Sequence, residues 1–244
     1  IHLDRGAFAT ALTMVLFAAA TDEGRPLLTG IKITSSGGRA TLAATDGYRL
    51  SLKHAPLDVK EELDLVVPAR ALSEVAKTIG EEKEGETLTL TKTKEGQLGV
   101  VVGDTHIMTR LIDGEYPNYD KIIPKTHTTR ALLDREAFTR AVKSAAVFAR
   151  DNANIIKLSL DKQKVIVSAN TPQVGENSVE LSAKIDGEGG EIAFNSRFLL
   201  EFLANYTGEE LLFEMTGSLN PGVFMPPKDD TFLHIIMPVR VSSG

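Results

Sequence analysis

The chain repeats itself at a separation of about 130 residues. Leu3-Asp4-Arg5-Gly6-Ala7-Phe8 returns as Leu133-Asp134-Arg135-Glu136-Ala137-Phe138. Further landmarks keep nearly the same offset: Phe17-Ala18 with Phe148-Ala149, Pro68-Ala69-Arg70 with Asn195-Ser196-Arg197, and Gly80 with Gly208. Self-similarity on that scale marks a whole domain copied rather than a short solenoid repeat. At 244 residues the chain is long enough for two ordinary cores. We therefore expect one domain over 1–115, a connector over 116–126, and a second domain over 127–244.

Hydrophobic periodicity gives each copy its elements. Phe8, Ala11, Leu12, Val15 and Ala19 fall at helical spacing behind Asp4, a good N-cap residue, so a helix is expected from Asp4 to Ala20. Alternating runs over Leu28–Thr34, Ala40–Ala44, Tyr48–Lys53 and Leu63–Val67 predict strands, punctuated by Ser35-Ser36-Gly37-Gly38 and Asp46-Gly47. Pro68 suits the first turn of a second helix with Leu72, Val75, Ala76 and Ile79 on one face, and Gly80 is expected to end it. Three more strands are predicted near Thr87–Thr91, Leu98–Val102 and His106–Ile112. Each copy then reads strand, helix, three strands, strand, helix, three strands, which is two similar halves. The fold class is α+β, with two helices per domain packed on antiparallel sheets. Asp113 to Pro124, with Tyr116 and Tyr119 between Gly and Pro, is too aromatic for a floppy linker and is expected to be an ordered connector packed against both domains.

Thr45-Asp46-Gly47-Tyr48-Arg49-Leu50 draws attention within this frame. Asp-Gly between two alternating runs predicts a hairpin, and Arg49 stands as an exposed cation in an otherwise apolar pattern. Such a turn can aim Tyr48, Arg49 and Leu50 at a partner while the strands fix their spacing.

Charge is uneven. The net charge is −6, yet residues 121 to 150 hold seven cations (Lys121, Lys125, Arg130, Arg135, Arg140, Lys143, Arg150) against Asp134 and Glu136. On a helical wheel starting at Arg135, the apolar Phe138, Ala141, Ala145 and Phe148 share one side while Arg140, Lys143 and Arg150 share another. That face is either simply solvated or directed at phosphates. The acidic run Gly80 to Glu86 reads as a solvated loop.

Several chemistries are excluded or unsupported. Without cysteine there is no disulfide framework and no thiolate metal site, which fits a reducing cytoplasm. No apolar run approaches the roughly 20 residues that span a bilayer, so a soluble cytoplasmic protein with no membrane partner is expected. Gly187-Glu188-Gly189-Gly190 lacks the Lys-Ser/Thr of a phosphate loop and reads as a turn. No nucleophile elbow and no His-Glu-x-x-His occur. Asp46, Asp104 and Asp113 would make a metal-dependent hydrolase only if folding gathered them, and all three lie at turn or strand-end positions that favour Asp locally. No enzyme, metal or cofactor is expected.

Four stretches then carry a resemblance: Phe17-Ala18-Ala19-Ala20-Thr21-Asp22-Glu23 with Arg25-Pro26-Leu27-Leu28-Thr29-Gly30, Ala44-Thr45-Asp46-Gly47-Tyr48-Arg49-Leu50, Gly114-Glu115-Tyr116-Pro117-Asn118-Tyr119, and Met237-Pro238-Val239-Arg240. In order and on a duplicated domain, they resemble the bacterial DNA sliding clamp, the beta subunit of the replicative polymerase III holoenzyme, in its second and third domains. The family has three copies of the domain and closes as a head-to-tail homodimer ring around duplex DNA. Because the chain opens on Ile1 rather than methionine, a first domain upstream is expected to be missing.

The resemblance implies a processivity factor without bond chemistry, binding DNA nonspecifically through cations on its helices. Carried over by position, Arg5, Arg70, Lys77, Arg140, Lys143 and Arg197 are the DNA candidates, with Arg25 in the loop after the first helix. It also implies a peptide groove where polymerase, clamp-loader and repair-protein motifs dock. Leu28, Thr45, Gly47, Tyr48, Arg49 and Leu50 would come from the first domain, and Pro117, Lys121 and Ile122 from the connector. The second domain would add Asn195, Phe198, Leu219, Pro221, Ile235, Met237, Pro238, Val239 and Arg240. Leu50→Ala or Met237→Ala is expected to remove peptide binding with stability nearly intact. The sequence departs from the family pattern at Tyr48, where many members carry histidine, at Phe198, where some carry tyrosine, and in the extra Ser242-Ser243-Gly244, a tail placed to cover part of the groove. The rival reading is a duplicated peptide-binding adaptor that does not encircle DNA.

Overall fold

The chain divides into two compact units, Ile1–Asn118 and Tyr119–Gly244, in a computed structural model that describes residues 1–36, 38–56, 62–81, 87–171 and 175–241. In the first unit the order is β1 (His2–Asp4), α1 (Arg5–Leu16), β2 (Gly30–Ser36), β3 (Arg39–Thr45), β4 (Arg49–Pro56), β5 (Leu63–Pro68), α2 (Ala69–Glu81), β6 (Thr87–Lys92), β7 (Gln97–Val102) and β8 (Thr105–Arg110). Strands β1, β6, β7 and β8 are hydrogen-bonded in that order, as are β4, β3, β2 and β5, and every pairing is antiparallel. Helix α1 packs on β3 and β4, α2 packs on β5, β7 and β8, and the two helices pack on each other.

The second unit repeats the plan with β9 (Thr129–Asp134), α3 (Arg135–Ala149), β10 (Ile155–Asp161), β11 (Lys164–Thr171), β12 (Gly175–Ser182), β13 (Lys184–Gly187), β14 (Gly190–Asn195), α4 (Ser196–Asn205), β15 (Glu210–Met215), β16 (Gly222–Met225) and β17 (Phe232–Ile236). Its strand orders are β12-β11-β10-β14 and β13-β9-β15-β16-β17. Strand β13 adds to the predicted plan. The chain breaks at Ala183 and changes sheets there, so that Ser182 pairs with Lys164 of β11 and Lys184 with Leu132 of β9. The corresponding first-unit positions, 57–60, lie outside the described residues.

The helix starts follow from their caps. Asp4 accepts the Ala7 N–H at 2.6 Å and Asp134 accepts the Ala137 N–H at 2.6 Å, so the first orphan donors of α1 and α3 are satisfied by the same device. Two ends differ from expectation. α1 stops at Leu16 rather than Ala20, because the chain tightens (Ala18 N–H to Val15 O, 3.0 Å) and Ala20 then donates to Leu28 O. Gly80 does not end α2, which runs on to Glu81; Gly80 is exposed and helical, with no left-handed turn to make. Pro68 closes β5 instead of opening α2. The remainder of the acidic run, residues 82–86, lies outside the described residues.

The two interiors differ in chemistry. The first is aliphatic, built from residues such as Leu12, Ile31, Ile33, Leu42, Val67, Leu72 and Val75 around Phe8. The second is aromatic: Phe194, Phe213 and Phe224 stack edge and face, and Phe202 packs on Tyr206, Phe232 and the buried ring of His234. Among the described residues no helix is long and apolar enough to cross a membrane.

Candidate functional site

The turn between β3 and β4 is wider than a two-residue hairpin. Thr45 pairs with Leu50, leaving Asp46, Gly47, Tyr48 and Arg49 to reverse the chain. Asp46 organises it: one carboxylate oxygen accepts the N–H groups of Tyr48 (2.9 Å) and Arg49 (3.0 Å), and the other accepts Arg49 Nε at 3.0 Å. Thr45 Oγ1 accepts Gly47 N–H and donates to Arg49 O. Gly47 sits at φ 91°, which favours glycine, and a Cβ there would lie 2.9 Å from Nη1 of the exposed Arg25 side chain, which could swing away. Arg25, expected on the DNA side, is thus exposed beside this turn.

This geometry corrects the reading of Arg49. It is not an exposed cation: 7% of it is accessible, it is ion-paired with Asp46, and its guanidinium lies 5.7 Å from the centroid of the Phe17 ring. Leu50 is fully buried, and Leu28 and Thr45 are buried as well. The expectation that Leu50→Ala spares stability fails on that burial, because truncating a side chain at 0% exposure leaves a cavity. What the turn offers outward is Tyr48, 60% exposed, and the Gly47 backbone.

Beyond the turn, Tyr116 is buried with its hydroxyl 3.5 Å from Gly30 O, and Pro117 is exposed. In the second unit, Lys121 and Ile122 lie on the short 3₁₀ turn Asp120–Ile122 and are exposed. Asn195 is occupied structurally, capping α4 by accepting the Arg197 N–H at 2.9 Å. Phe198 is half-buried on α4, Ile235 is fully buried in β17, and Leu219 and Arg240 are exposed. Pro221, Met237, Pro238 and Val239 are half-buried. Val239 N–H donates to Ala193 O at 2.8 Å, which fastens the segment after β17 alongside β14. Residues 242–244, the tail expected to cover part of the groove, lie outside the described residues.

The helix cations divide similarly. Arg70 and Lys77 are exposed on α2, with Lys77 paired to Glu74 at 3.3 Å, and Arg5 is half-buried at the start of α1. Arg140 and Lys143 are exposed on α3, Arg140 paired to Glu136 at 3.1 Å, and Arg197 is exposed at the start of α4. Surface pairs of this kind contribute little to stability and exchange readily for another anion.

Two features escaped the sequence reading. Val241, 57% exposed, lies one residue beyond the last recognised stretch. Asp46, weighed from the sequence as a turn former and as a possible metal-binding carboxylate, instead pairs with Arg49, for which Asp three residues before an Arg in a tight turn is the available signal. Among the described residues no group of three or more His, Asp or Glu side chains is placed to hold a metal ion.

With this geometry in hand, comparison with known proteins is decisive. DNA polymerase III beta subunit, central domain, matches residues 2–118, and DNA polymerase III beta subunit, C-terminal domain, matches residues 120–240. The chain belongs to the DNA polymerase III beta subunit family. It is 30% identical over 234 residues to the beta sliding clamp of Bacillus subtilis, covering 94% of this chain and 61% of that protein. It is 29% identical to the Staphylococcus aureus beta sliding clamp, covering 98% and 64%. The chain therefore spans less than two thirds of the length of these relatives. Among solved structures, the Thermotoga maritima DNA polymerase III beta subunit superposes with a TM-score of 0.94 at 25% identity, covering 99% of this chain and 65% of that one. The Bacillus subtilis DNA polymerase sliding clamp gives 0.93 at 28% identity, covering 99% and 64%. These sliding clamps share the repeated α+β domain described above.

Proposed function

We propose that this chain supplies two domains of a non-catalytic sliding clamp, a cytoplasmic processivity factor for a DNA polymerase. Its helix cations hold duplex DNA through phosphates without reading sequence, and its apolar surface residues dock short peptide motifs of polymerase, clamp-loader and repair proteins. In a chain with all three copies of the domain, a second subunit would close the ring around DNA. The working division is 1–115 and 127–244, with 116–126 as an ordered connector. The proposed mechanism needs no cofactor: nonspecific phosphate contacts permit sliding, and exchangeable peptide contacts let partners take turns.

The observation that carries this reading is the exposure of large apolar side chains. Tyr48 (60%), Ile122 (39%) and Leu219 (61%) stand out from the surface, and each belongs to the peptide set expected from the family resemblance. Buried members of the set, such as Leu50 and Ile235, shape the surface from beneath. Burying two partner side chains would contribute roughly 3 to 6 kcal/mol before association costs, which suits exchangeable binding.

The test is fluorescence anisotropy with a labelled peptide bearing adjacent Leu and Phe. Binding should fall at least tenfold in Tyr48→Ala combined with Leu219→Ala, with the melting temperature unchanged. Equal binding by the double variant would sink the docking reading. Peptide binding without any salt-dependent DNA binding would favour the adaptor instead.

A further inference from the structure

We propose that the second unit holds a further peptide subsite, a cleft beside Leu219 and Val239 that accepts a lysine or arginine flanking the partner's apolar residues. The inference rests on the peptide-docking reading above and names a specificity within it. The cleft has a volume of about 690 Å³ and lies between β14, the loop after β15, and the segment that Val239 fastens to Ala193. Its apolar lining comes from Ile192, Met215, Leu219, Val239 and Val241. Leu219 and Val241 stand largely exposed, and Leu219 and Val239 already belong to the peptide set, so a bound peptide would run on into the cleft without a gap.

Its rim is acidic. Glu191 is committed to Lys157 (3.1 Å) and to the Ser159 hydroxyl (2.9 Å), which hold its carboxyl below the usual carboxylate range. Lys157 is thereby neutralised. Glu188 has no cationic partner among the described residues and leaves the cleft with an uncompensated negative charge. It is carried on the turn from Gly187 to Gly190, which is anchored at its two ends by the pairing of Gly187 with Thr129 and of Gly190 with Leu160. Gly187, Gly189 and Gly190 all have positive φ, a Cβ on Gly187 would lie 2.0 Å from Thr128 O, and Thr129 Oγ1 donates to Gly189 O at 2.8 Å. The glycine-rich stretch, which lacks the pattern of a phosphate loop, here carries one carboxylate to the rim of the cleft.

The repeat supplies an internal control. In the first unit Ile112 N–H donates to Val66 O at 2.9 Å, the counterpart of the Val239 bond. The matching cleft there measures about 310 Å³ and is lined by Lys92 and Lys94 together with Asp113 and Asp64, the last paired to Lys32. Smaller, and with its acidic residues offset by Lys92 and Lys94, it lacks the net negative charge that would attract a cationic side chain.

Three labelled peptides that share adjacent Leu and Phe and carry flanking Lys, Gln or Glu make the probe, titrated by anisotropy at low salt. The Lys peptide should bind about threefold to fivefold tighter than the Glu peptide, the range of one exposed charge pair. Glu188→Gln should abolish that difference and leave the Gln peptide's affinity unchanged. Equal affinity of the Lys and Glu peptides for the unaltered protein, or discrimination that survives Glu188→Gln, overturns the subsite while the docking reading stands. Failure of all three peptides to bind overturns both.

Discussion

Helix α1 turns Gly6, Thr10 and Thr13 to solvent, whereas α3, at the corresponding positions, turns Glu136, Arg140 and Lys143. The two helices start alike, each capped by an aspartate at the same distance from the same backbone donor. Inside, the copies diverge as well: Leu72, Val75 and Ile79 of α2 stand where the second unit has Leu199, Phe202 and Tyr206, all buried. What the copies share is caps, spacing and strand order. What they do not share is the chemistry filling those positions, so one topology is compatible with two cores and two surfaces.

The core contrast carries the largest expected effect. Phe202 packs against three aromatic neighbours and His234, so Phe202→Ala should lower stability by about 3 to 5 kcal/mol. Val75→Ala at the matching site removes only two methyl groups and should cost roughly 2 kcal/mol. Urea denaturation of both variants measures the gap; equal losses would mean that the aromatic cluster adds nothing to the shared scaffold.

Next comes the β3–β4 turn, which has no like-for-like partner. Strand pairing puts the fully buried Leu50 opposite Thr45, and the second-unit position in step with it is Glu176, exposed on β12. Leu50→Ala should therefore cost about 2 to 5 kcal/mol, while Tyr48→Ala and Glu176→Ala should stay within about 0.5 kcal/mol of the parent. A thermal melt that ranks Tyr48→Ala with Leu50→Ala would mean the tyrosine is structural.

These cases show how far the residues alone reach. The repeat, the Asp4 cap and the succession of helices and strands along the chain were legible because they depend on local spacing and backbone chemistry; the order of strands within each sheet was not. Arg49 was misread because a cation in a turn looks solvated unless its carboxylate is seen folding back on it. Leu50 was misplaced because alternation says which residues share a face, not what covers that face. The cleft beside Leu219 was invisible, since it gathers Thr128, Lys157 and residues from 188–193, 215–219 and 239–241, which are far apart in the chain and meet only through strand pairing and tertiary hydrogen bonds.

The helix faces set a smaller, purely electrostatic contrast. If Arg140 and Lys143 each meet a phosphate, reversing both to Glu should reduce the slope of log K against log salt by about 1.8, at about 0.9 per contact. Thr10→Ala with Thr13→Ala should leave the slope where it is. The measurement is duplex binding over a salt series. An unchanged slope in the double reversal would reduce those cations to a solvated face, equivalent in role to the threonines of α1.

The smallest contrast appears only at high pH. Tyr206 is buried where the first unit has Ile79, and burial, helped by nearby Asp229, pushes its phenol up from 10.0 to about 12. The fold therefore favours the protonated phenol. That contribution is fully present below pH 10 and is lost as pH rises from 10 to about 12, because in this window the unfolded chain has released a proton that the folded chain retains. Tyr206→Phe gives up the 2.7 Å hydrogen bond to Glu210 O, so it should start about 1 kcal/mol less stable at neutral pH. Its stability should then decline less between pH 10 and 12 than that of the parent, so that the two curves converge and then cross within that window. Ile79→Val, the matching change in the first unit, should shift the curve by a constant amount without altering its shape. Parallel curves for Tyr206→Phe and the parent would show that the phenol ionises alike in the folded and unfolded chains, and that burial at this position distinguishes the two units in packing alone.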